Sequence, residues 1–458
     1  MSKSTEQSVV FSDLFGKPTS VVFDGEAQSS DGGAALLRAV NQKLRLTTRL
    51  AQHLADVRAE DRVVHTRQEI FDQRVFSIAL GYADQNDAAR IAADPVMKGL
   101  VGRAAVRGMD LASQATLSRF ENAATAPELV AMMREVEDVA VERLKARRPH
   151  AHRITLDLDA TCDPTHGQQQ GTFFNAFYDT HCYLPLLGFL SVAGDKDQHL
   201  FAARLRKGTT PATHCMIPMV RRMVAKLRRA FPKAKIRVRL DGGFSSPHLL
   251  DVLDDLKVEY VIGLPQNPRL LALCDVQITA AAVVAARDGE TARFYGEGMY
   301  AADSWSRERR VVFKAEVLVK DGKTNKINPR FVVTNLPARM KAKTVYVAAY
   351  CERGACENRI KELKYGLAID RTSCSSFRAN QLRLLMTAAA YLLFQELRSQ
   401  LAGTEAAAWQ VTTLRERLMK IGVRVVESVR RVVLHFAAAH PWSELWCRAA
   451  AQLGAQPG

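Results

Sequence analysis

The sequence predicts an α/β protein whose central sheet mixes antiparallel and parallel strands and is flanked by helices. Two changes of pattern along the chain lead to this prediction. Residues 1–150 are mostly helical in character after a short extended start, whereas the alternating apolar and polar runs typical of strands begin at residue 151. Three such runs come first, and helices then alternate with further strands, which indicates a mixed sheet.

The first 150 residues carry two recognisable helix starts. Thr66 with Glu69, and Thr125 with Glu128, have the spacing of a capping box, in which the two side chains bond to free amides of the first turn. Small helical regions often bind DNA, but many helices only pack together. Both interpretations stay open for this region on the residues alone.

The segment 151–263 supplies the sheet. The predicted strands are 154–159, 183–192, 199–205, 236–241 and 259–263, with helices starting near Pro211 and near Ser246. Short links favour an antiparallel meander for the first three strands, and the helical crossovers favour parallel additions. This order is the layout of a ribonuclease-H-like domain.

The pattern changes twice more before the chain ends. Residues 264–335 lack a helical pattern and predict a β-rich insertion. Helical character resumes at about 344, so that 336–400 is predicted to complete the α/β domain. The C-terminal region, 401–458, contains RLMKIGVRVVESVRRVVLHF, whose β-branched residues leave strand and helix both open. DNA binding and dimerisation are the two functions considered for it.

The net charge and the pattern of cysteines limit the classes of protein to which this chain can belong. Lys and Arg number 64 against 48 Asp and Glu, a formal charge of +16, which favours a polyanionic partner over simple solubility. The eight cysteines form no C-x-x-C pair, the chain start lacks the layout of a signal peptide, and no run reaches about 18 apolar residues. We expect a soluble cytoplasmic protein with reduced thiols and no membrane partner.

Four polar residues follow a helical spacing after residue 344: Tyr350, Arg353, Glu357 and Lys364. On a regular helix, at about 100° per residue, they lie within about 60° of one another. This stripe indicates either a functional site or a solvated face on which Arg353 and Glu357 form an i,i+4 ion pair.

Two aspartates end predicted strands. Asp159 closes one strand, and Asp241 closes another just before two glycines. A single aspartate in such a place is commonly a turn former or a helix cap. Together with Glu357, however, they form a set of three carboxylates, which can hold two divalent cations about 3.5–4 Å apart for chemistry at phosphorus.

A family resemblance joins these features. The pattern Y-x-x-R-x-x-x-E, then six residues and K, resembles the signature of DDE transposases of the insertion-sequence-four superfamily. DLDATCDPTHGQQQGTFFNAFYDTHCYLPLL is similar to the first-aspartate region of the bacterial insertion-sequence family called thirteen-eighty, or transposase DDE domain group one. RLDGGFSSPHLL and KELKYGLAIDRTSCSSFRANQLRLL are similar to its second-aspartate block and to the stretch beyond its glutamate.

The resemblance implies a cut-and-paste DNA transposase. It implies that Asp159, Asp241 and Glu357 bind two Mg²⁺ or Mn²⁺ ions, with water and then the freed 3′-hydroxyl as nucleophiles. Asp157 lies on the same strand face as Asp159. The D-x-T pattern of the superfamily fits Asp159 and Thr161, so Asp159 is the predicted ligand and Asp157 a supporting or alternative one.

The resemblance also implies how DNA is held. Arg353 and Lys364 would bind phosphates near the scissile bond, and Tyr350 would hold the transposon end. The implied partners are the terminal inverted repeats and target DNA, bound by a homodimer when two ends are paired in the bacterial nucleoid. Residues 1–150 would then bind the DNA ends.

Further DNA contacts are expected outside the carboxylate set. From Arg204 to Arg239 there are twelve Lys or Arg residues and no Asp or Glu, so Arg221 and Arg222 are candidates for phosphate contact, with a solvated helix face as the alternative. Similar transposases hold a flipped base with an aromatic residue in the insertion. Trp305, beside Arg307, is the candidate for that role, with core packing as the alternative.

Two other functions explain part of the pattern. A hydrolase with two carboxylates as general acid and base, as in glycosidases, accounts for the aspartates but not for the basic excess or the Arg-Glu-Lys stripe. A domesticated or inactive transposase would bind specific DNA without cutting it. The presence of all three acidic residues favours retained activity.

Overall fold

The computed structural model describes residues 9–13, 15–22, 24–195, 197–320 and 323–456. The chain divides into two compact units, one formed by residues 1–123 with 389–458 and the other by residues 124–388. Within the described ranges, no helix has both the length and the apolar character needed to cross a bilayer.

The N-terminal part of the first unit is helical after a short extended start, as predicted. Its strands are β1 (Val9–Phe11), β2 (Thr19–Val21) and β3 (Gln28–Ser29). Its helices are α1 (Ala35–Leu44), α2 (Leu46–Ala51), α3 (Arg67–Ala79), α4 (Ala88–Ile91), α5 (Pro95–Leu100) and α6 (Gln114–Ala123).

The helix α3 is the buried centre of this part. The predicted capping box opens it: the Thr66 amide donates to the Glu69 carboxylate over 2.7 Å, and the Glu69 amide donates to the Thr66 hydroxyl over 3.1 Å. Arg74 of α3 pairs with Glu121 of α6 at 2.7 Å, and both side chains are almost wholly buried. Because removing one partner would leave a buried charge unpaired, this pair fixes α6 against α3.

The second unit begins with α7 (Ala126–Arg147), whose predicted capping box at Thr125 and Glu128 is also present. Its strands are β4 (Arg153–Ala160), β5 (Asp163–Pro164), β6 (Phe173–Asn175), β7 (Thr180–Tyr183), β8 (Leu186–Val192), β9 (Gln198–Arg204), β10 (Lys235–Leu240), β11 (Glu259–Leu264), β12 (Ala292–Tyr300), β13 (Arg309–Lys320), β14 (Lys323–Ile327) and β15 (Arg330–Thr334). Its further helices are α8 (Met216–Ala230), α9 (Pro247–Asp255), α10 (Pro268–Leu273), α11 (Asp275–Asp288), α12 (Ala342–Thr344) and α13 (Gly354–Leu367).

The main sheet has the mixed order that the sequence predicts. Along the described residues its strands follow the order β12-β13-β15-β11-β10-β4-β8-β9, and β14 pairs with β13. The strands β4, β8 and β9 form an antiparallel meander, and β10 lies parallel to both β4 and β11. A separate small sheet contains β5, β7 and β6.

Both faces of the sheet are covered. Tyr260 and Ile262 of β11 belong to a core that includes the apolar residues of α8 and α9, whereas Val261 packs on the opposite face against Val345 and Tyr346. This alternation is what a strand buried on both sides requires. It leaves the strand ends, rather than the faces, open for a site.

The segment after β11 differs from the prediction. A β-rich insertion without a helical pattern is expected for residues 264–335, but α10 and α11 precede the strands. The strands that follow extend the main sheet, because β15 pairs with β11. The prediction of a helix-free segment fails because α11, rich in Ala and Val, has no marked polar face; its described buried residues are Ala281 and Ala285.

The chain ends in the first unit. The helix α14 (Phe377–Gln400) leads from the second unit, and α15 (Val411–Leu414), β16 (Val423–Glu427), β17 (Val432–Phe436) and α16 (Ser443–Gln452) follow. The tail left open between strand and helix therefore contains both. Its strands form a sheet with β3, in the order β17-β16-β3.

Candidate active site

Two aspartates lie side by side at the ends of neighbouring parallel strands. Asp159 is the second-last residue of β4, and Asp241 directly follows β10. The pairing of these strands sets Arg239 opposite Asp157. Asp159 and Asp241 lie two residues further along each strand, and Asp241 keeps an extended backbone. They therefore project from the same face of strands about 4.8 Å apart.

Each aspartate has a distinct environment. Asp241 caps the short turn Gly242–Phe244, and its carboxylate accepts a hydrogen bond of 2.9 Å from the Gly243 amide. Asp159 is largely buried, with a side chain 12% exposed, and it faces the guanidinium of Arg353. One carboxylate is thus held by backbone and the other by a cation.

Arg353 connects the strand to the glutamate. Its Nη1 donates to Asp159 Oδ2 over 2.9 Å, and its Nη2 donates to Glu357 Oε1. Glu357 lies in the first turn of α13 and is half exposed. The i,i+4 pair that the helix spacing predicts is present, and it is bound to Asp159 instead of lying on a free solvated face.

The helix that carries this pair is not regular. Val345–Tyr350 forms a π-helical turn and Cys351–Arg353 a 3-10 turn before α13 begins at Gly354. The prediction of one regular stripe from Tyr350 to Lys364 is therefore wrong, because the turn angle per residue changes twice. All four side chains nevertheless lie near the strand ends.

The acidic side chains influence one another. Burial raises the pKa of Asp159 to about 6, against the opposing effect of Arg353, and the negative charges of Asp241 and Glu357 raise it further. Burial lowers the pKa of Arg353, but the charges of Asp159, Glu357 and Asp241 outweigh burial, so that this pKa is raised. A guanidinium is the cation that balances the three acids.

The donor set suits a hard divalent cation. Carboxylate oxygens are the ligands that Mg²⁺ and Mn²⁺ prefer, and a cation between them would relieve the repulsion that raises the pKa of Asp159. Among the described residues, no group of three His, Cys, Asp or Glu side chains is already arranged to hold a metal ion. The Arg353 guanidinium lies between two of the three acids.

Tyr350 packs closely on the adjacent strand. Its hydroxyl lies 2.6 Å from the point that a Cβ on Gly263 would occupy, and the Gly242 amide nitrogen lies 2.8 Å from the same point. Burial raises the pKa of Tyr350, as does the nearby charge of Asp241. The absence of a side chain at Gly263 therefore makes room for Tyr350 beside Asp241.

Lys364 contacts the chain just after the end of β4. Its ammonium donates to the carbonyl of Cys162, three residues after Asp159, and lies 3.9 Å from Asp370. The structure thus brings six of the predicted residues to the ends of β4, β10 and β11: Asp159, Asp241, Tyr350, Arg353, Glu357 and Lys364.

Trp305 and Arg307 make different contacts. The Trp305 ring lies edge-on to Tyr300 at 5.3 Å and 5.4 Å from the Arg309 guanidinium, and it packs against the main core. Arg307 pairs with Asp254, in the last turn of α9. The described contacts do not connect either residue with the carboxylates.

Arg221 and Arg222 both lie on α8, but they differ in exposure and in ion pairing. Arg221 is exposed, whereas Arg222 donates to Glu137 of α7 at 2.6 Å, and Lys226 lies 3.3 Å from the same carboxylate. Much of the charge on this face of α8 is therefore neutralised by α7.

Two further features of the site were not predicted: the pairing of Asp157, the expected supporting or alternative ligand, with Arg239, and the place of Tyr178 near the carboxylates. Asp157 and Arg239 form a buried pair with bonds of 2.6 and 2.8 Å, and Arg239 also donates to the Ala349 carbonyl over 2.9 Å. Tyr178, between β6 and β7, has a pKa raised by burial and by the charges of Asp159 and Asp241. The aromatic run TFFNAFY is the sequence signal for the second feature; alternation of charge on paired strands is the signal for the first.

Comparison with known proteins gives one family. The family model described as transposase DDE domain group 1 matches residues 11–457. No curated protein matches the chain.

Proposed function

The chain belongs to the transposase DDE domain group 1 family, and from that premise we propose that it cuts and rejoins DNA at the terminal inverted repeats of an insertion sequence. The reaction would be metal-dependent hydrolysis of a phosphodiester, followed by strand transfer into target DNA. The observation that carries this proposal is the Arg353 guanidinium, which holds Asp159 and Glu357 together beside Asp241.

Asp159, Asp241 and Glu357 are the residues that would hold two Mg²⁺ or Mn²⁺ ions. Such ions activate an attacking oxygen and stabilise a leaving oxygen at phosphorus. The buried ion pair of Asp157 with Arg239 supports Asp159 as the first ligand, since both oxygens of Asp157 are already bonded. Asp157 would instead support the strand that carries Asp159.

The basic and phenolic residues would position DNA. Arg353 already bonds to two carboxylates, and with those engaged by cations its guanidinium would bind the scissile phosphate. Lys364, which contacts the chain just after the end of β4, would bind a neighbouring phosphate. Tyr350 would contact the transposon end from its place against Gly263. Water would be the first nucleophile and the freed 3′-hydroxyl the second.

The strand order supports a ribonuclease-H-like domain. An antiparallel meander of β4, β8 and β9 followed by parallel strands β10 and β11 is the arrangement expected of that fold. The spacing of Tyr350, Arg353, Glu357 and Lys364 supports a place in the insertion-sequence-four superfamily and its thirteen-eighty family. We assign the catalytic domain to 151–263 and 336–400, with 264–335 as its inserted part.

The remaining regions would handle DNA and assembly. Residues 1–150 would bind transposon ends, 401–458 would bind DNA or dimerise, and two protomers would pair the two ends in the bacterial cytoplasm. Trp305, Arg307, Arg221 and Arg222 stay proposed DNA contacts. The charge of +16 supports a polyanionic partner.

The test uses the full chain and a DNA fragment carrying the inverted repeats that flank its gene. With Mg²⁺, strand ends mapped at single-nucleotide resolution should fall at the repeat boundaries, and a chelator should abolish every cut. Cutting that persists in chelator would contradict metal catalysis. Specific binding without any cutting in Mg²⁺ or Mn²⁺ would indicate the domesticated alternative.

A further inference from the structure

A cleft of about 530 Å³ lies in the first unit, remote along the sequence from the carboxylates. Its walls are the loop after α2, the start of α3 and the face of α6. Four arginines line it, Arg58, Arg62, Arg67 and Arg119, together with the apolar side chains of Ile70 and Phe120. We refer to it as the arginine cleft. Its volume is in the range of pockets that take small organic ligands.

The charges of the arginine cleft are unevenly balanced. Arg58 is held by Asp56 through bonds of 2.7 and 2.6 Å. Among the described residues, no carboxylate lies within ion-pair distance of Arg62, Arg67 or Arg119. Arg67 donates to the Leu54 carbonyl, but its Nε is buried without a hydrogen-bond partner. Although Asp56 also lines the cleft and its charge acts on Arg67, this concave surface gathers three arginines that form no ion pair among the described residues.

His65, which also lines the cleft, has surroundings that favour its neutral form. Burial lowers the pKa of His65, and so does the adjacent Arg103. The guanidinium groups therefore set the electrostatic character of the cleft.

The charged and apolar side chains of the arginine cleft together indicate the chemical class of its ligand. Guanidinium groups with unused N–H donors bind phosphate oxygens in a fork geometry. Phe120, which is partly exposed and packs on the buried Ile70, offers an apolar contact that an inorganic anion would not use, but on which a nucleobase can pack. We propose that the arginine cleft binds a nucleotide of a DNA strand, with its phosphate against Arg62, Arg67 and Arg119 and its base against Phe120. The proposed function enters only in naming DNA as the source of that nucleotide.

The test measures DNA binding by the full chain in the Glu357→Gln background, so that cutting does not interfere. The probes are a 20-base-pair duplex, a 20-nucleotide single strand, dTMP and inorganic phosphate. Arg62→Gln with Arg119→Gln should weaken binding of the duplex or the single strand about tenfold or more at low salt. It should also lower the slope of log Kd against log salt by about 1 to 2, because about 0.9 of a unit is lost per phosphate contact.

A second variant fills the arginine cleft and leaves its arginines unchanged. Ala123→Trp places an indole in the cleft, since Ala123 is exposed and lines it, and should weaken binding without a change of net charge. The matched control is Arg90→Gln, which removes an arginine of the same unit that is 74% exposed and paired with Asp87. It should leave the affinity for each probe within about twofold and the salt slope nearly unchanged.

Three outcomes would overturn the proposal. The first is an unchanged affinity and salt slope in both cleft variants. The second is an equal loss in Arg90→Gln, which would reflect net charge alone. The third is binding of dTMP or phosphate as tight as that of the oligonucleotides, which would identify a small-molecule pocket. Loss of cutting by the parent chain, with cleft-dependent DNA binding intact, would instead contradict only the proposed function.

Discussion

The guanidinium of Arg353 donates a hydrogen bond of 2.9 Å to the carboxylate of Asp159, a residue 194 positions earlier in the chain. This bond links the turn before α13 to the end of β4. It also places the positively charged guanidinium of Arg353 where the proposed chemistry requires divalent ions. The carboxylates of Asp159 and Glu357 are therefore held in position by Arg353 without a bound metal.

Glu357→Gln should stop cutting while DNA binding is retained. A glutamine can still accept the bond from Arg353, and the side chain is half exposed, so the fold should be unaffected. Loss of one metal ligand should cost several kcal/mol of transition-state stabilisation, about 10²- to 10³-fold in cutting rate or more. Strand cleavage and duplex binding would be measured side by side. The control is Glu352→Gln, at a carboxylate 68% exposed near Arg239, which should still cut.

Asp157→Asn and Asp159→Asn should separate stability from catalysis. Asp157 is buried with Arg239, and breaking such a pair costs about 3–5 kcal/mol, so Asp157→Asn should lower the free energy of unfolding and still cut DNA at low temperature. Asp159→Asn should abolish cutting with little loss of stability. Denaturant unfolding and a cleavage assay decide between them, and the reverse assignment would identify Asp157 as the ligand.

Gly263→Ala should be harmful although it adds a single methyl group. The new Cβ would lie 2.6 Å from the Tyr350 hydroxyl and 2.8 Å from the Gly242 nitrogen, so the backbone carrying Asp241 must shift. We expect a loss of about 1–3 kcal/mol in the free energy of unfolding and slower cutting. Tyr350→Phe in the same chain should restore part of the stability, because it removes one of the two clashes. A full loss in the double variant would show that the hydroxyl contact is unimportant.

Asp163→Asn should alter how stability depends on pH. Asp163 is fully buried, its Oδ1 lacks a hydrogen-bond partner among the described residues, and Thr372 donates to its Oδ2 over 2.8 Å. Burial raises the pKa of Asp163 to about 8; the Thr372 bond and the charges of Lys364 and Arg383 oppose this rise, while Asp370 adds to it.

The direction in which the free energy of unfolding changes with pH follows from proton binding by Asp163. Between about pH 4 and pH 8 the native Asp163 retains a proton that the unfolded chain has released, so the wild-type chain loses stability as the pH rises through that window. Asparagine has no proton to retain. Asp163→Asn should therefore gain stability relative to wild type, by up to about 1.4 kcal/mol per pH unit. Parallel unfolding curves from pH 5 to 8 would contradict this. Asp303→Asn, at a side chain 88% exposed, is the surface control.

Arg221→Gln and Arg222→Gln should behave differently although the residues are adjacent. Arg222 and Lys226 neutralise Glu137, whose side chain is 2% exposed, so Arg222→Gln should cost about 1–3 kcal/mol of stability. Arg221 is exposed, and Arg221→Gln should weaken DNA binding only. A thermal-unfolding series and a binding titration measure the two effects. Equal stability of both variants would contradict the structural role of Arg222.

Patterns with a strict period were readable in the sequence. The strands β4 and β10 alternate cleanly, β11 is a short apolar run typical of a buried strand, and both capping boxes are defined by two side chains each, so these elements were predicted near their observed bounds. The helix α11 was not predicted because its Ala and Val residues supply neither a polar face nor a period. The π-helical turn Val345–Tyr350 was not predicted from local patterns, and its buried residues pack against a strand distant in sequence, β11.

The three acidic residues were predicted as candidate ligands from their places at strand ends and on a helix, but the side chains that they contact were not all predicted. Helix spacing predicts Arg353 next to Glu357, and says nothing of Asp159, which folding brings to the same guanidinium. The contacts of Trp305 with Tyr300 and Arg309 likewise depend on strand pairing that the residue order does not reveal.

The pair formed by Asp157 and Arg239 lies two residues before Asp159 and Asp241 on the same two strands. If β10 slid along β4 by a single residue, the guanidinium would face the wrong side and leave an isolated charge in the interior, a penalty of several kcal/mol. A misaligned form would therefore be much less stable than the native register even without metal or DNA. The strand register that places Asp159 beside Asp241 is in this way specified by a neighbouring buried ion pair.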